Sequence, residues 1–228
     1  LRAGNLVLAL SGDFERQSAI EQLQSIAEQI GSESFEKTNH PFPGPAETGR
    51  ILEPLDREQA VIFQAYSDIG VTDGDMPISS VLTDLLNGMS SNLFNEVREK
   101  RGMAYYVGAN RVIGIDSGMF YLYAGTAPTQ VEEVYKQFEL EIERLLEGKI
   151  LNAELTRSKA RLKTGKRMQH QTAANRTLES ALNKLYGLPV NEFLNYDSQI
   201  EVVQVADIQK LLREKIVTTE PLRLTVQA

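Results

Sequence analysis

The chain contains no cysteine, no tryptophan and only two histidines in 228 residues. Without thiols there is neither a disulfide framework nor a thiolate metal site. A helical zinc site needs two histidines on one helix face, three or four positions apart. The two here stand at 40 and 170. His40 falls in a proline-rich stretch and His170 among lysines and arginines, so both are expected as solvated side chains and no metal site is expected in this chain. Positive charge is also scarce: 24 Lys and Arg against 31 Asp and Glu give a net charge of −7. A phosphate-neutralising surface needs clustered cations, so no nucleic-acid partner is expected. No apolar run approaches the ~20 residues of a membrane span. Neither a Gly-x-Ser-x-Gly elbow nor a glycine-rich phosphate loop is present, which leaves out the commonest nucleophile and nucleotide signatures. The chain opens on Leu1-Arg2-Ala3-Gly4, with no initiator Met and no signal peptide, and reads as a piece of something longer.

What is present is an ordinary globular composition, 42% hydrophobic and 24% charged, in a chain long enough to bury a real core. The run Asn5-Leu6-Val7-Leu8-Ala9-Leu10, closed by Ser11-Gly12-Asp13, predicts a buried strand entering a turn. Ala19, Ile20, Leu23, Ile26, Ala27 and Ile30 recur at helical spacing before Gly31, predicting one amphipathic helix. These two elements cannot bury their own faces. Their apolar stripe is expected to be covered by a homodimer or by lattice contacts. Residues 39–49 carry Pro41, Pro43 and Pro45 and read as a semi-rigid linker, so the domain boundary is placed there.

Beyond it the pattern predicts a strand over 59–70, a helix from Pro77 to Leu86, and a second helix through Leu93, Phe94 and Val97 capped by Ser90 or Ser91. A hairpin over 104–111 and 119–126 follows. A helix with a Thr129/Glu132 capping box comes next, then one long helical stretch from Asn152 to Gly187, two shorter helices, and a closing strand at 221–226. That strand echoes 5–10, as if both closed the same kind of domain. The basic run Arg157, Lys159, Arg161, Lys163, Lys166 and Arg167 is expected to face the glutamate-rich helix before it. The fold class is α+β, a mainly antiparallel sheet with helices on one face.

The informative stretch is 87–107, Asn-Gly-Met-Ser-Ser-Asn-Leu-Phe-Asn-Glu-Val-Arg-Glu-Lys-Arg-Gly-Met-Ala-Tyr-Tyr-Val. With Tyr123-Ala124-Gly125-Thr126-Ala127-Pro128 and Asn5-Leu6-Val7…Gly12-Asp13-Phe14, it resembles the insulinase/pitrilysin family of zinc metallopeptidases, which includes the mitochondrial processing peptidases. In that family two similar α+β domains enclose a chamber. The first carries an inverted His-x-x-Glu-His zinc motif; the second lacks the metal and supplies an Arg and a Tyr, seven residues apart, to the substrate. Arg98 and Tyr105 have that spacing, and His-x-x-Glu-His is absent. The resemblance therefore implies that 1–38 is the terminal strand and helix of a zinc-type domain, 39–49 the linker, and 50–228 the inactive second domain. It implies no catalytic residue in this chain, substrate-binding residues Arg98 and Tyr105, zinc in a partner domain or subunit, and a peptide substrate. A guanidinium and a phenol donate hydrogen bonds without losing a proton, so they can hold peptide carbonyls and a developing oxyanion. Strict strand alternation would put Tyr105 and Tyr106 on opposite faces, so that one serves. The alternatives are that Arg98 is one of several solvated helix charges, and that the chain is a scaffold of the same fold without hydrolysis, as in respiratory-complex core subunits, or a module that only binds peptides.

Overall fold

A computed structural model of the chain describes residues 3–30 and 48–228. In chain order these form helix α1 (Arg16–Ile30), strands β1 (Gly49–Pro54) and β2 (Ala60–Ile69), and helices α2 (Met76–Leu85) and α3 (Asn92–Phe94). A π-helical turn at Asn95–Glu99 prolongs α3. The hairpin β3 (Ala104–Ile113) and β4 (Ser117–Thr126) follows, then α4 (Val131–Leu146), α5 (Asn152–Gln169), α6 (Ala173–Leu185), α7 (Tyr196–Val202), α8 (Val205–Leu211) and β5 (Leu222–Gln227). Contacts divide the described residues into two compact units. The larger is built from 42–162 with 198–228, the smaller from 1–41 with 163–197. The expected linker lies outside the described residues except for 48 and 49, and Gly49 already opens β1.

The larger unit holds one five-stranded sheet in the order β1-β5-β2-β4-β3. Only β1 and β5 run parallel; the other three pairings are antiparallel. Burial alternates along β2 and β4, the period-2 signature of a sheet covered on one side. Ile62, Phe120 and Leu122 point to the helix side and are fully buried with Leu82, Phe138 and Leu145. Burying each such side chain contributes ~1.5–3 kcal/mol relative to exposure. Two polar features sit within this core. Asp68 and Arg111 form an ion pair with side chains 0% and 5% exposed. Ser79 Oγ donates to Asp68 at 3.3 Å, as does the Ile69 N–H at 2.8 Å. Tyr135 threads its hydroxyl to the Leu224 carbonyl, 2.9 Å away.

On the opposite face the register collects Phe63 from β2, Tyr121 and Tyr123 from β4 and Tyr106 from β3. Their rings follow one another at centroid spacings of 5.8, 6.0 and 6.1 Å. Tyr106 lies over Gly125, where a Cβ would come within 2.4 Å of its ring.

The expected capping box of α4 does not form: the helix starts at Val131, and its N-cap, Gln130, makes no side-chain cap bond. Pro128 begins a separate single turn, Pro128–Gln130, which takes Thr129 out of capping position. The long helix expected after Asn152 is broken at 170–172, and Thr172 caps α6 by accepting from the Asn175 N–H at 3.2 Å. Three members of the basic run pair elsewhere than with the glutamates of α4. Arg161 binds Asp84, Lys166 binds Glu179 and Arg167 binds Asp197.

The smaller unit corrects two further expectations. Residues 6–10 form no strand, because a strand needs a neighbour for its ladder and no strand pairs with them among the described residues. Of the two echoing segments, the later one forms a strand, β5. His170 is not solvated: Nε2 meets Glu179 at 2.5 Å and the ring packs edge-on to Phe193 at 4.7 Å. Burial pushes the Glu179 carboxyl up, but the bonds and charges of Lys166 and His170 outweigh this and hold it below the usual carboxylate range. Its contribution to stability is complete above that range and is lost as the pH falls through the depressed value. Glu179→Gln should therefore flatten the acid limb of the urea midpoint against pH while leaving the neutral plateau less stable. An unchanged acid limb would show that this carboxylate does not govern it.

Candidate substrate-contact site

The segment 87–106 is fastened at every turn. Asn87, just past the end of α2, acts as a surrogate strand residue. Its carboxamide nitrogen donates to the Ala109 carbonyl at 2.7 Å and to Thr83 at 2.9 Å, and its oxygen accepts from the Ala109 N–H at 3.1 Å. Gly88 follows with φ of +84°, a conformation costly for any side chain, and a Cβ there would fall 2.5 Å from Arg161 Nη1. That guanidinium grips the Asp84 carboxylate at 2.8 and 2.9 Å and the Asn87 carbonyl at 2.8 Å, satisfying carbonyls that the helix end leaves open. Ser91 caps α3, accepting from the Phe94 N–H at 3.1 Å. Asn92 donates to buried Glu141 at 2.6 Å.

The next turn is wound wide. Lys100 N–H reaches back five residues to Asn95, at 2.9 Å, the i→i+5 pattern of a π turn, often found at functional sites. The chain then reverses at Gly102, whose φ is +60°. Its N–H donates to the Arg98 carbonyl at 3.0 Å, and the Met103 N–H donates to Val97 at 2.9 Å. These bonds fold the start of β3 back beside the turn that bears Arg98.

Arg98 and Tyr105 are thereby brought together. The guanidinium carbon lies 5.8 Å from the Tyr105 ring centroid and 5.1 Å from that of Phe94. Both distances suit a cation–π contact. Its neighbours are paired, Lys100 with Glu96 at 2.6 Å and Arg101 with Glu133 at 3.5 Å. No carboxylate among the described residues pairs with Arg98. Its forked donors are held by rings and not consumed by an anion. Tyr105 is 71% exposed.

Strict alternation fails at this point, because a bulge between Ala104 and Tyr106 inserts Tyr105 as an extra residue. Tyr106 is 37% exposed and packs on Gly125 and Tyr123. The bulge separates the environments of the two tyrosines, and only Tyr105 meets Arg98.

Asn87, Phe94, the π turn and the bulge were not visible as site components in the sequence. The one available signal was the Asn-Gly pair at 87–88, which marks a turn. Glu179 engages His170, His40 lies outside the described residues, and no three His, Asp or Glu side chains converge among those described. No helix among the described residues is long and apolar enough to cross a membrane.

Comparison with known proteins places the chain in a family. A family model described as the peptidase M16 inactive domain matches residues 1–162. An uncharacterized zinc protease of Rickettsia felis is 26% identical over 222 residues, which is 95% of this chain and 53% of that protein. The crystal structure of a peptidase M16 inactive domain from Pseudomonas fluorescens superposes with a TM-score of 0.85 at 20% identity, over 99% of this chain and 54% of that one. A chain of complex III2 from Candida albicans gives a TM-score of 0.74 at 18% identity, over 95% of this chain and 53% of that one. This chain thus spans about half the length of the curated relatives it matches. With its α+β sheet, its helices on one face and a family match across most of its length, the chain belongs to the zinc metallopeptidase family as an M16 inactive domain.

Proposed function

We propose that the chain is the substrate-gripping, non-catalytic half of a zinc metalloendopeptidase, with Arg98 and Tyr105 holding peptide opposite a zinc site carried by a partner domain or subunit. The observation that supports this most is the state of Arg98: stacked between Phe94 and Tyr105 and paired with no carboxylate among the described residues. A planar fork of charged donors binds carbonyl or carboxylate oxygens in charge-assisted hydrogen bonds. The Tyr105 hydroxyl adds a neutral donor beside it. In the same reading 1–38 belongs with the zinc-bearing half, 39–49 joins the halves and 50–228 is the inactive half.

The test is reconstitution. The chain alone should cleave no casein-derived peptide, and adding it to a zinc-bearing half with a His-x-x-Glu-His motif should raise cleavage above that half alone. A mixture that assembles without any gain in hydrolysis would sink the gripping role and favour a scaffold of the same fold, the reading to which the likeness to a complex III2 chain lends weight.

A further inference from the structure

The ring row on the sheet face opposite Ile62, Phe120 and Leu122 is not used by the contact at Arg98. We propose that Tyr106, Tyr123 and Tyr121, flanked by Phe63, form a strip that receives alternate side chains of an extended peptide and selects apolar or aromatic residues at every second position. This rests on the peptide-holding role proposed for Arg98 and Tyr105, and names the substrate class that such a half would prefer.

Three observations carry it. The first is pitch. The rings repeat at 6.0 and 6.1 Å along the row and 5.8 Å at its flank, while same-side side chains of an extended peptide repeat at ~6.6 Å. One ring therefore meets one side chain over a short peptide. The second is charge. By register, Glu53 is the only charged residue among the described strand positions on this face, and it stands on β1, at the edge of the sheet away from β3. In a chain of net charge −7, so neutral a strip suits an uncharged occupant and offers nothing to a phosphate or to a run of lysines. The third is the pairing of the tyrosine hydroxyls. Tyr66 and Tyr135, on the helix side, bond theirs to Gln64 and to the Leu224 carbonyl, whereas those of Tyr106, Tyr121 and Tyr123 bond to no group among the described residues. They remain available to the carbonyls of a chain lying across them. Gly125 and Gly108 let the rings lie low: a Cβ at Gly108 would sit 3.1 Å from Tyr123 Oη. The row ends at Tyr106, the residue after Tyr105, so a peptide on the strip starts next to the proposed grip.

The test compares two fluorescein-labelled decapeptides of one composition, binding to the full 228-residue chain by fluorescence anisotropy. In one, phenylalanine alternates with serine or glutamine; in the other, phenylalanines stand in adjacent pairs. The alternating peptide should bind about tenfold more tightly. Tyr121→Leu and Tyr123→Leu should each weaken it by roughly three- to tenfold, the scale of a lost aromatic pair contact, and narrow the preference. Arg98→Ala should weaken both peptides alike and leave the preference intact. Equal affinity of the two peptides for the unmodified chain overturns the strip, and this comparison needs no variant to fold. A retained preference with no effect of Arg98→Ala overturns the grip and leaves the strip. Binding of neither peptide overturns both. A concentration-dependent dimer without peptide preference assigns the face to a second copy instead, which also overturns the strip.

Discussion

Arg98→Ala is expected to lower turnover of the reconstituted peptidase by about 10²–10³, the usual cost of removing one donor from a developing oxyanion. Folding should be unaffected, because the guanidinium makes no ion pair among the described residues and lies over the exposed ring of Tyr105 and over Phe94. If the contact is made equally in the ground state, the loss appears in KM with kcat unchanged. Either result fits a residue that touches substrate, and the split says when the contact forms. Tyr105→Phe keeps the ring under the guanidinium and removes only the hydroxyl. Its effect therefore isolates the phenol as donor from the ring as support. Lys100→Ala is the control, since that ammonium is held by Glu96 at 2.6 Å and its loss should leave the rate constants near wild type. Full activity of Arg98→Ala together with Tyr105→Phe would remove both residues from the site.

The largest effect on stability is expected at Arg111. Arg111→Met should destabilise the larger unit by about 3–5 kcal/mol, the cost of stranding one partner of a buried ion pair. Asp68 is fully buried beside it, and a carboxylate left there without its cation keeps only Ser79 and the Ile69 N–H. The two residues stand on β2 and β3, with β4 between them, and Asp68 lies opposite Gly118. A Cβ on Gly118 would sit 3.4 Å from the Asp68 Cβ and 2.8 Å from two backbone oxygens, so this spot has no room for a larger residue. The double variant Asp68→Leu, Arg111→Met removes both charges and should recover most of the loss, because an apolar replacement for a buried pair is often neutral or stabilising. Urea midpoints of the four proteins measure the coupling directly. Added salt should change it little, since both charges are shielded from solvent. A single-variant loss below about 1 kcal/mol would mean that water reaches the pair.

Strands β2 to β5 and helix α2 were legible: 59–70 as an apolar run closed by a turn, 104–126 as two runs about a glycine-flanked loop, 221–226 as an alternating run, and Pro77 where a first helical turn accepts it. β1 was not, because 49–54 carries no such pattern and becomes a strand only by pairing with β5. That Arg98 and Tyr105 lie close together was expected for a different reason, the resemblance carried by the run 87–107. What could not be read were features that depend on partners far away in the chain. Asn87 becomes a strand surrogate only because Ala109 passes beside it. Residues 6–10 carry the composition of a strand and lack a neighbouring strand among the described residues. His170 looked solvated because Glu179 and Phe193, which enclose it, lie one helix and one turn further on. The capping box at Thr129 failed to a nearer rival, the turn begun by Pro128.

The Asn87 bond to Ala109 bears on solubility as well as on the site. β3 is the outer strand of the sheet, and an outer strand offers its free amides to any passing chain as a template for polymerisation. The carboxamide occupies both backbone groups of Ala109, so the ladder is already closed at the middle of β3. A foreign strand cannot run the length of that edge without first prising the side chain away. Protection against ordered aggregation along β3 thus rests on one asparagine, the same one that ties the segment bearing Arg98 to the sheet.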